Sequence, residues 1–439
     1  MLFSIAVVVP AQDDDPKDLL RRVSLNVQET VGRLPKYVCT QTINRIEYQP
    51  PPASTVPSCD RLAAERKAGK AERRVASSDR LRIDVAAGLT REAFGVTDEM
   101  YSWVGANHFD DRGLSELVRR GAYSTGSFLS FLVTIFGGNI ANFSYDGDKV
   151  ENGRALVEFG FQFPLEKSNM MYFYGLGGEP NRNAAAAYEG SFSIDPKTLD
   201  LVRLAVRISP PRETGACEAN QVLDYSRVNL NGNDFLLPRE ARLDILNLDG
   251  KEMANRISYS SCHEFRGQST VSFEAPPDTT QTPAEERPEP LANLPPGIPF
   301  KLSFNEAIDS GKAAAGDVIT ARLTTPIGQR TGPVLVPQGA LVTARIVKAQ
   351  HVYGKERLFI LAIKLESVNV EGTVRTLRGT TDSGVRRFAQ APGSLTPRIN
   401  LGPIDLSQDR DAGVLEFRGK KTDFVIAKGF ESSWITLAP

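Results

Sequence analysis

Residues 188–208, YEGSFSIDPKTLDLVRLAVRI, carry the most restrictive pattern in the chain. Tyr188, Phe192 and Ile194 alternate with polar residues up to a turn at Asp195 to Thr198. After it Val202, Leu204, Val206 and Ile208 share one face while Arg203 and Arg207 share the other. A period of two in both arms predicts an antiparallel hairpin, apolar on one side and wet on the other. Turns at Asn231-Gly232-Asn233-Asp234 and Leu248-Asp249-Gly250-Lys251 extend it into a meander through VLDYSRVNL, FLLPREARLDILN and EMANRISYSSCHEF. A sheet with one apolar face must be covered.

Two segments can supply the cover. Asp15 and Pro16 open a helix in which Leu19, Leu20, Val23, Val27, Val31 and Leu34 form one stripe, ended by Pro35. The stretch GSFLSFLVTIFGGNIANF is the second. Gly137 and Gly138 interrupt it, and it is too short for a membrane span, so it is expected as a helix on the concave face of the sheet. Phe128, Phe131, Leu132, Ile135 and Phe136 are then the candidate lining of an apolar binding site.

The chain of 439 residues divides, on this reading, into a signal segment 1–11, a half-barrel domain 12–273, a proline-rich linker 274–297 and a β-barrel domain 298–439. The apolar run Leu2 to Val9 followed by Pro10 and Ala11 reads as the core and cleavage end of a secretory signal, truncated of its basic start. In the last domain the strand LFILAIKL is apolar on both faces, as in the middle of a small barrel or sandwich. The fold class is therefore β-rich α+β: an antiparallel half-barrel wrapped on one or two helices, plus a small C-terminal β-barrel. With 52 Lys+Arg against 53 Asp+Glu, the net charge of -1 argues against a nucleic-acid partner.

Cys39, Cys59, Cys217 and Cys262 fall in two sequence-local pairs without C-x-x-C spacing, which argues against a zinc or dithiol redox site. In an exported chain they are expected as two disulfides, Cys39 with Cys59 and Cys217 with Cys262, each worth roughly 3–4 kcal/mol in the chain-entropy model.

The leading helix, the meander and the hairpin 188–208 resemble the lipoprotein-carrier fold of LolA-like and outer-membrane lipoprotein-sorting proteins. The text from YSWVGANHFDD to SSCHEF resembles a group of uncharacterised secreted bacterial proteins, and together these cover residues 15–270. The carrier resemblance implies a concave apolar surface for an acyl chain, a lipoprotein or a partner's apolar segment, and no fixed ligand residues. GDVITARLTTPI, VLVPQGALVTARIV and ERLFILAIKL, within residues 298–380, are similar to the TrbI-like barrel of conjugation and type IV secretion channel proteins.

No catalytic motif is present. His108 beside Asp110 and Asp111 is open to two readings, a polar turn or the start of an acid-base or metal site. His263-Glu264 lacks the second histidine of a helical zinc motif, and GLGGEP at 175–180 is a loop rather than a phosphate cradle. The basic run Arg61 to Arg82 is interleaved with acids and reads as a solvated surface. These features predict a non-enzymatic protein without cofactor or metal, periplasmic or secreted in the envelope of a double-membrane bacterium, with no transmembrane helix in its mature chain. Its expected work is to bind an apolar ligand or an envelope partner. The alternatives are an assembly component acting through the C-terminal barrel, and a hydrolase at His108, Asp110 and Asp111.

Overall fold

The computed structural model describes residues 15–50, 58–69, 73–89, 97–106, 109, 128–138, 141–168, 170–174, 182–265, 289–290, 294–328, 332–354, 357–381, 411–419 and 423–438. The helices are α1 (Pro16–Arg33), α2 (Cys59–Lys67) and α3 (Phe128–Phe136). The strands up to the proline-rich stretch are β1 (Tyr37–Tyr48), β2 (Val75–Leu89), β3 (Thr97–Trp103), β4 (Asn142–Glu151), β5 (Arg154–Phe163), β6 (Met171–Tyr174), β7 (Arg182–Ala185), β8 (Ala187–Ile194), β9 (Leu201–Ser209), β10 (Ala216–Leu230), β11 (Asn233–Asn247) and β12 (Glu252–Glu264). The chain forms two compact units: Met1–Lys36, Ala87–Asp98 and Gly126–Leu243 make the first, and Tyr37–Ala86, Glu99–Thr125 and Asp244–Pro439 the second. Strands from either side of the proline-rich stretch thus belong to the second unit.

In the first unit β4, β5, β8, β9 and β10 pair in that order, each antiparallel to the next. The hairpin read from the sequence is there, with Tyr188 opposite Ile208 and Phe192 opposite Leu204. Its turn runs longer than the expected Asp195 to Thr198. Leu199 adopts a left-handed φ of 60° and its amide donates to the Asp195 carbonyl, while the Asp195 amide donates to that of Asp200. Gly190 is demanded by close approach, since a Cβ there would overlap the Ala205 carbonyl on the neighbouring strand. The inner face is aromatic: Phe192 stacks on Phe159 at 5.5 Å and meets Phe136 edge-on at 5.0 Å, and Tyr188 stacks on Phe163 at 4.5 Å.

The cover is as expected. Asp15 caps α1 by accepting from the Lys17 amide, and Leu19, Val23, Val27 and Val31 are buried. Leu34, forced out of helical geometry by the following Pro35, ends it at ψ 123°. The apolar stretch forms α3, which stops at Gly137. The outer face of the sheet is laced with ion pairs, Arg203 with Glu151 and Asp224, and Arg207 with Glu189 and Glu218.

In the second unit β1 pairs antiparallel with β12 and also pairs with β2. Asp79 to Ser77 of β2 then face Gln350 to Val352 of the strand Leu341–Tyr353. That strand pairs with Val318–Leu323 and with Arg357–Val370, which pairs in turn with Ala412–Gly419. Pro299–Phe304 lies between Val318–Leu323 and Glu431–Thr436, and Glu431–Thr436 pairs with Gly379–Thr381. The strand LFILAIKL is buried on both faces: Phe359, Leu361 and Ile363 enter one core cluster, Ile360 and Ala362 another. The fold is mostly antiparallel β with helices, but among the described residues these strands do not close into a barrel. Gly379–Thr381 and Ala412–Gly419 meet through the Thr381 hydroxyl, which accepts from the Val414 amide at 2.9 Å in place of a backbone ladder.

The expected cysteine pairs are overturned. Cys39 is bonded to Cys262, 223 residues away, because β1 and β12 are neighbours in the sheet. Cys59 and Cys217 are also disulfide-bonded, and none of the four cysteines is free. Closeness in sequence misled, since strand pairing and not chain separation brings thiols within bonding distance.

Candidate functional site

The space under the cover of the first unit is where an apolar ligand would have to lie. On α1, Leu19, Val23, Val27 and Val31 fall at helical spacing and turn toward the sheet. Helix α3 contains no charged residue, and its Leu129, Phe131, Leu132, Ile135 and Phe136 are all at most 5% exposed. Two side chains tie α1 to its surroundings: Asn26 donates through Nδ2 to the Leu199 carbonyl at 3.0 Å, and Gln28 donates to the Phe136 carbonyl at the end of α3.

Between them the described residues line a cavity of about 10 Å³, bordered by Asn26, Thr30, Val31, Leu132, Leu201 and Leu236 among others. That is about the room of one water molecule. Of the five residues singled out from the sequence, Leu132 reaches this cavity. Phe131, Ile135 and Phe136 are buried in α3, with Phe136 packed on Phe192, while the side chain of Phe128 lies outside the described residues. Leu129, Leu201 and Leu236 also line it. Leu129 sits in the same apolar run as Leu132, and nothing local distinguishes it; Leu201 follows the hairpin turn whose length the sequence did not reveal.

His108, Asp110, Asp111 and the loop 175–180 lie outside the described residues. His263 is exposed beside Cys262, its Nδ1 2.9 Å from the Ser261 carbonyl, and His351 Nε2 lies 3.0 Å from the Ser310 carbonyl. In the basic run, Arg61 pairs with Glu65, Arg66 and Arg73 with Glu252, and Arg45 with Asp79, with Arg73 also over the Tyr48 ring. Among the described residues no group of three or more His, Cys, Asp or Glu is placed to hold a metal ion, and no helix is long and apolar enough to cross a membrane.

Of the perturbed carboxyls, Asp18 lies in the first turn of α1, held low by a hydrogen bond from Arg21, while Glu158 lies on the sheet and Asp195 at its hairpin turn. Burial of Glu158 raises its pKa, but hydrogen bonds from Lys149 and Ser191 outweigh it and hold the carboxyl below the usual range. Asp195 is likewise raised by burial and lowered further by Arg154 and the Lys197 amide, with a net fall. Burial pushes the Tyr188 phenol up. Each is accounted for by packing or a local ion pair.

No family model and no curated protein matches this chain. Two solved structures are similar to it. A DUF1329 family protein from Desulfovibrio piger shares 10% identity, covering 58% of this chain and 95% of that one at a TM-score of 0.29. An outer membrane lipoprotein-sorting protein domain from Vibrio parahaemolyticus shares 10% identity, covering 59% and 96% at a TM-score of 0.26. The second bears the name of the class that residues 15–270 resemble, yet at such TM-scores neither likeness carries an argument about fold or function. Neither is a conjugation or type IV secretion protein.

Proposed function

We propose that this chain is a non-enzymatic protein of the cell envelope, exported and disulfide-bonded, that works as a self-packed β scaffold in contact with an envelope partner. The packing carries this reading: Phe136, Phe159 and Phe192 are buried against one another under α3, and the cavity lined by Val27, Leu132, Leu201 and Leu236 holds about 10 Å³, the room of one water molecule. A protein whose interior is filled by its own phenylalanines and leucines acts through its outside. The disulfides support an oxidising compartment, periplasmic or extracellular. On this reading the strands after residue 298 are an assembly element, as the TrbI-like resemblance implies.

A carrier of acyl chains or lipoproteins is the second reading, favoured by the apolar lining of the remaining cavity and the chargeless α3 above it. Native mass spectrometry of protein purified from the periplasm separates the two. The scaffold reading predicts the mass of the disulfide-bonded chain alone. An adduct released by organic extraction and identified as a lipid sinks it in favour of the carrier.

A further inference from the structure

Cys39 and Cys262 sit at the irregular point of the β1–β12 ladder. From Thr40 opposite Ser260 to Tyr48 opposite Glu252 the strands keep one register, whereas Tyr37 opposite Glu264 and Val38 opposite His263 are one residue out from it. Between the two registers both Ser261 and Cys262 stand against Cys39, so β12 carries one extra residue, a β-bulge. Its first residue, Ser261, has φ 51°, the left-handed conformation that such a bulge ordinarily gives to glycine.

The bond and the bulge require each other. If β12 kept the main register to its end, Ser261 would face Cys39 and Cys262 would face Val38. Successive side chains of a strand point to opposite sides of the sheet, so the two sulfurs would then be on opposite sides and unable to join. The regular ladder has its own advantages: it takes Ser261 out of the left-handed region and restores the one-to-one pairing that the extra residue interrupts. On β12 the shift moves Ser261 to Glu264, all exposed or half-buried, together with Phe265, whose ring meets Phe109 edge-on at 5.6 Å.

We propose that Cys39–Cys262 is a redox switch of strand register: oxidised, it holds the bulge, and reduced, it lets β12 slip by one residue into a regular ladder with β1. The reductant is an external dithiol. Its thiolate attacks Sγ of Cys262, which is half-buried between exposed neighbours, whereas Cys39 is 4% exposed. The Sγ–Sγ bond breaks, and Cys39 leaves as a thiolate and takes up a proton. The second thiol of the reductant then attacks the mixed disulfide, freeing the Cys262 thiol and leaving the reductant as its own disulfide. Strand β1 follows α1 after Leu34, Pro35 and Lys36, and β12 leads into the proline-rich stretch, so the slip is felt at both places.

The full chain carrying Val38→Cys together with Cys39→Ser tests this, with Cys59 and Cys217 left intact. Positions 38 and 262 face each other only in the regular register, so peptide mapping of the folded variant is expected to find them bonded. Free thiols at both positions in a folded chain overturn the proposal. The unaltered protein, treated with a dithiol until Cys39 and Cys262 are reduced, gives an independent reading by hydrogen exchange. Exchange in the segment 260–264 is expected to slow by about five- to tenfold as one-to-one pairing is restored. Exchange that is unchanged or faster there contradicts the slip.

Discussion

Arg345 Nε donates to Glu366 Oε1 at 2.6 Å, while its Nη1 donates to the carbonyls of Val104 at 2.8 Å and Gly316 at 2.7 Å. The side chain is 9% exposed, so these partners replace nearly all of its water. It ties the residue after β3, the segment before Val318 and the long strand Arg357–Val370 into one unit. Arg345→Met leaves a carboxylate and two carbonyls short of a donor and is expected to cost about 2–4 kcal/mol. Urea denaturation checks this, with Glu366→Gln expected to cost less because it leaves the two carbonyl bonds in place.

Gly413 faces the indole of Trp434, which is 1% exposed. A Cβ at this position overlaps the six-membered ring, and Trp434 is held by its Nε1 donating to Ser432 at 2.8 Å. Gly413→Ala is therefore expected to lower stability by about 1–3 kcal/mol through overpacking. Near-ultraviolet circular dichroism should show a changed tryptophan environment; an unchanged melting temperature would remove the argument.

Asp195 and Glu158 both have folded-state pKa values held below their ordinary ones. A carboxyl that binds its proton less readily when folded contributes stability above its unfolded pKa and loses it as pH falls through the lowered value. The melting temperature should therefore hold steady from neutral pH down to the carboxylate range and decline below about pH 4. Asp195→Asn keeps an acceptor for the Lys197 amide but removes the Arg154 ion pair, and should flatten the acid limb. An acid limb as steep as in the unaltered protein would show that this pair contributes nothing.

Much of the first unit was readable because its signals are local. The alternation around Asp195, the Asp15-Pro16 start and the stop at Pro35 each act within a few residues, and each is found in place. What could not be read depends on residues far apart in the chain. The pairing of Cys39 with Cys262, and of Asp79 with Gln350 across the proline-rich stretch, leaves no trace in periodicity, since a strand's pattern shows which face is buried and not which strand lies beside it. The candidate lining shows the same limit. The pattern of this stretch marks Phe128, Phe131, Leu132, Ile135 and Phe136 as apolar, but whether such residues enclose a space or fill it depends on what opposes them, as Phe192 opposes Phe136.

Leu132 borders the small cavity and is 5% exposed. Leu132→Ala should cost about 2–5 kcal/mol, with the cavity enlarged rather than collapsed. Binding of a small apolar probe such as xenon, followed by its chemical shift, should appear in the variant and be absent without the substitution.

A chain packed on its own phenylalanines and leucines works through its surface and leaves no room for an acyl chain. Titration of the delipidated, disulfide-intact chain with a fluorescent long-chain fatty acid measures that room. A self-packed interior gives no saturable enhancement beyond that of an unrelated protein of equal size. Saturable binding of one probe per chain, abolished by a bulky substitution such as Leu132→Trp in a variant that still folds, would contradict it.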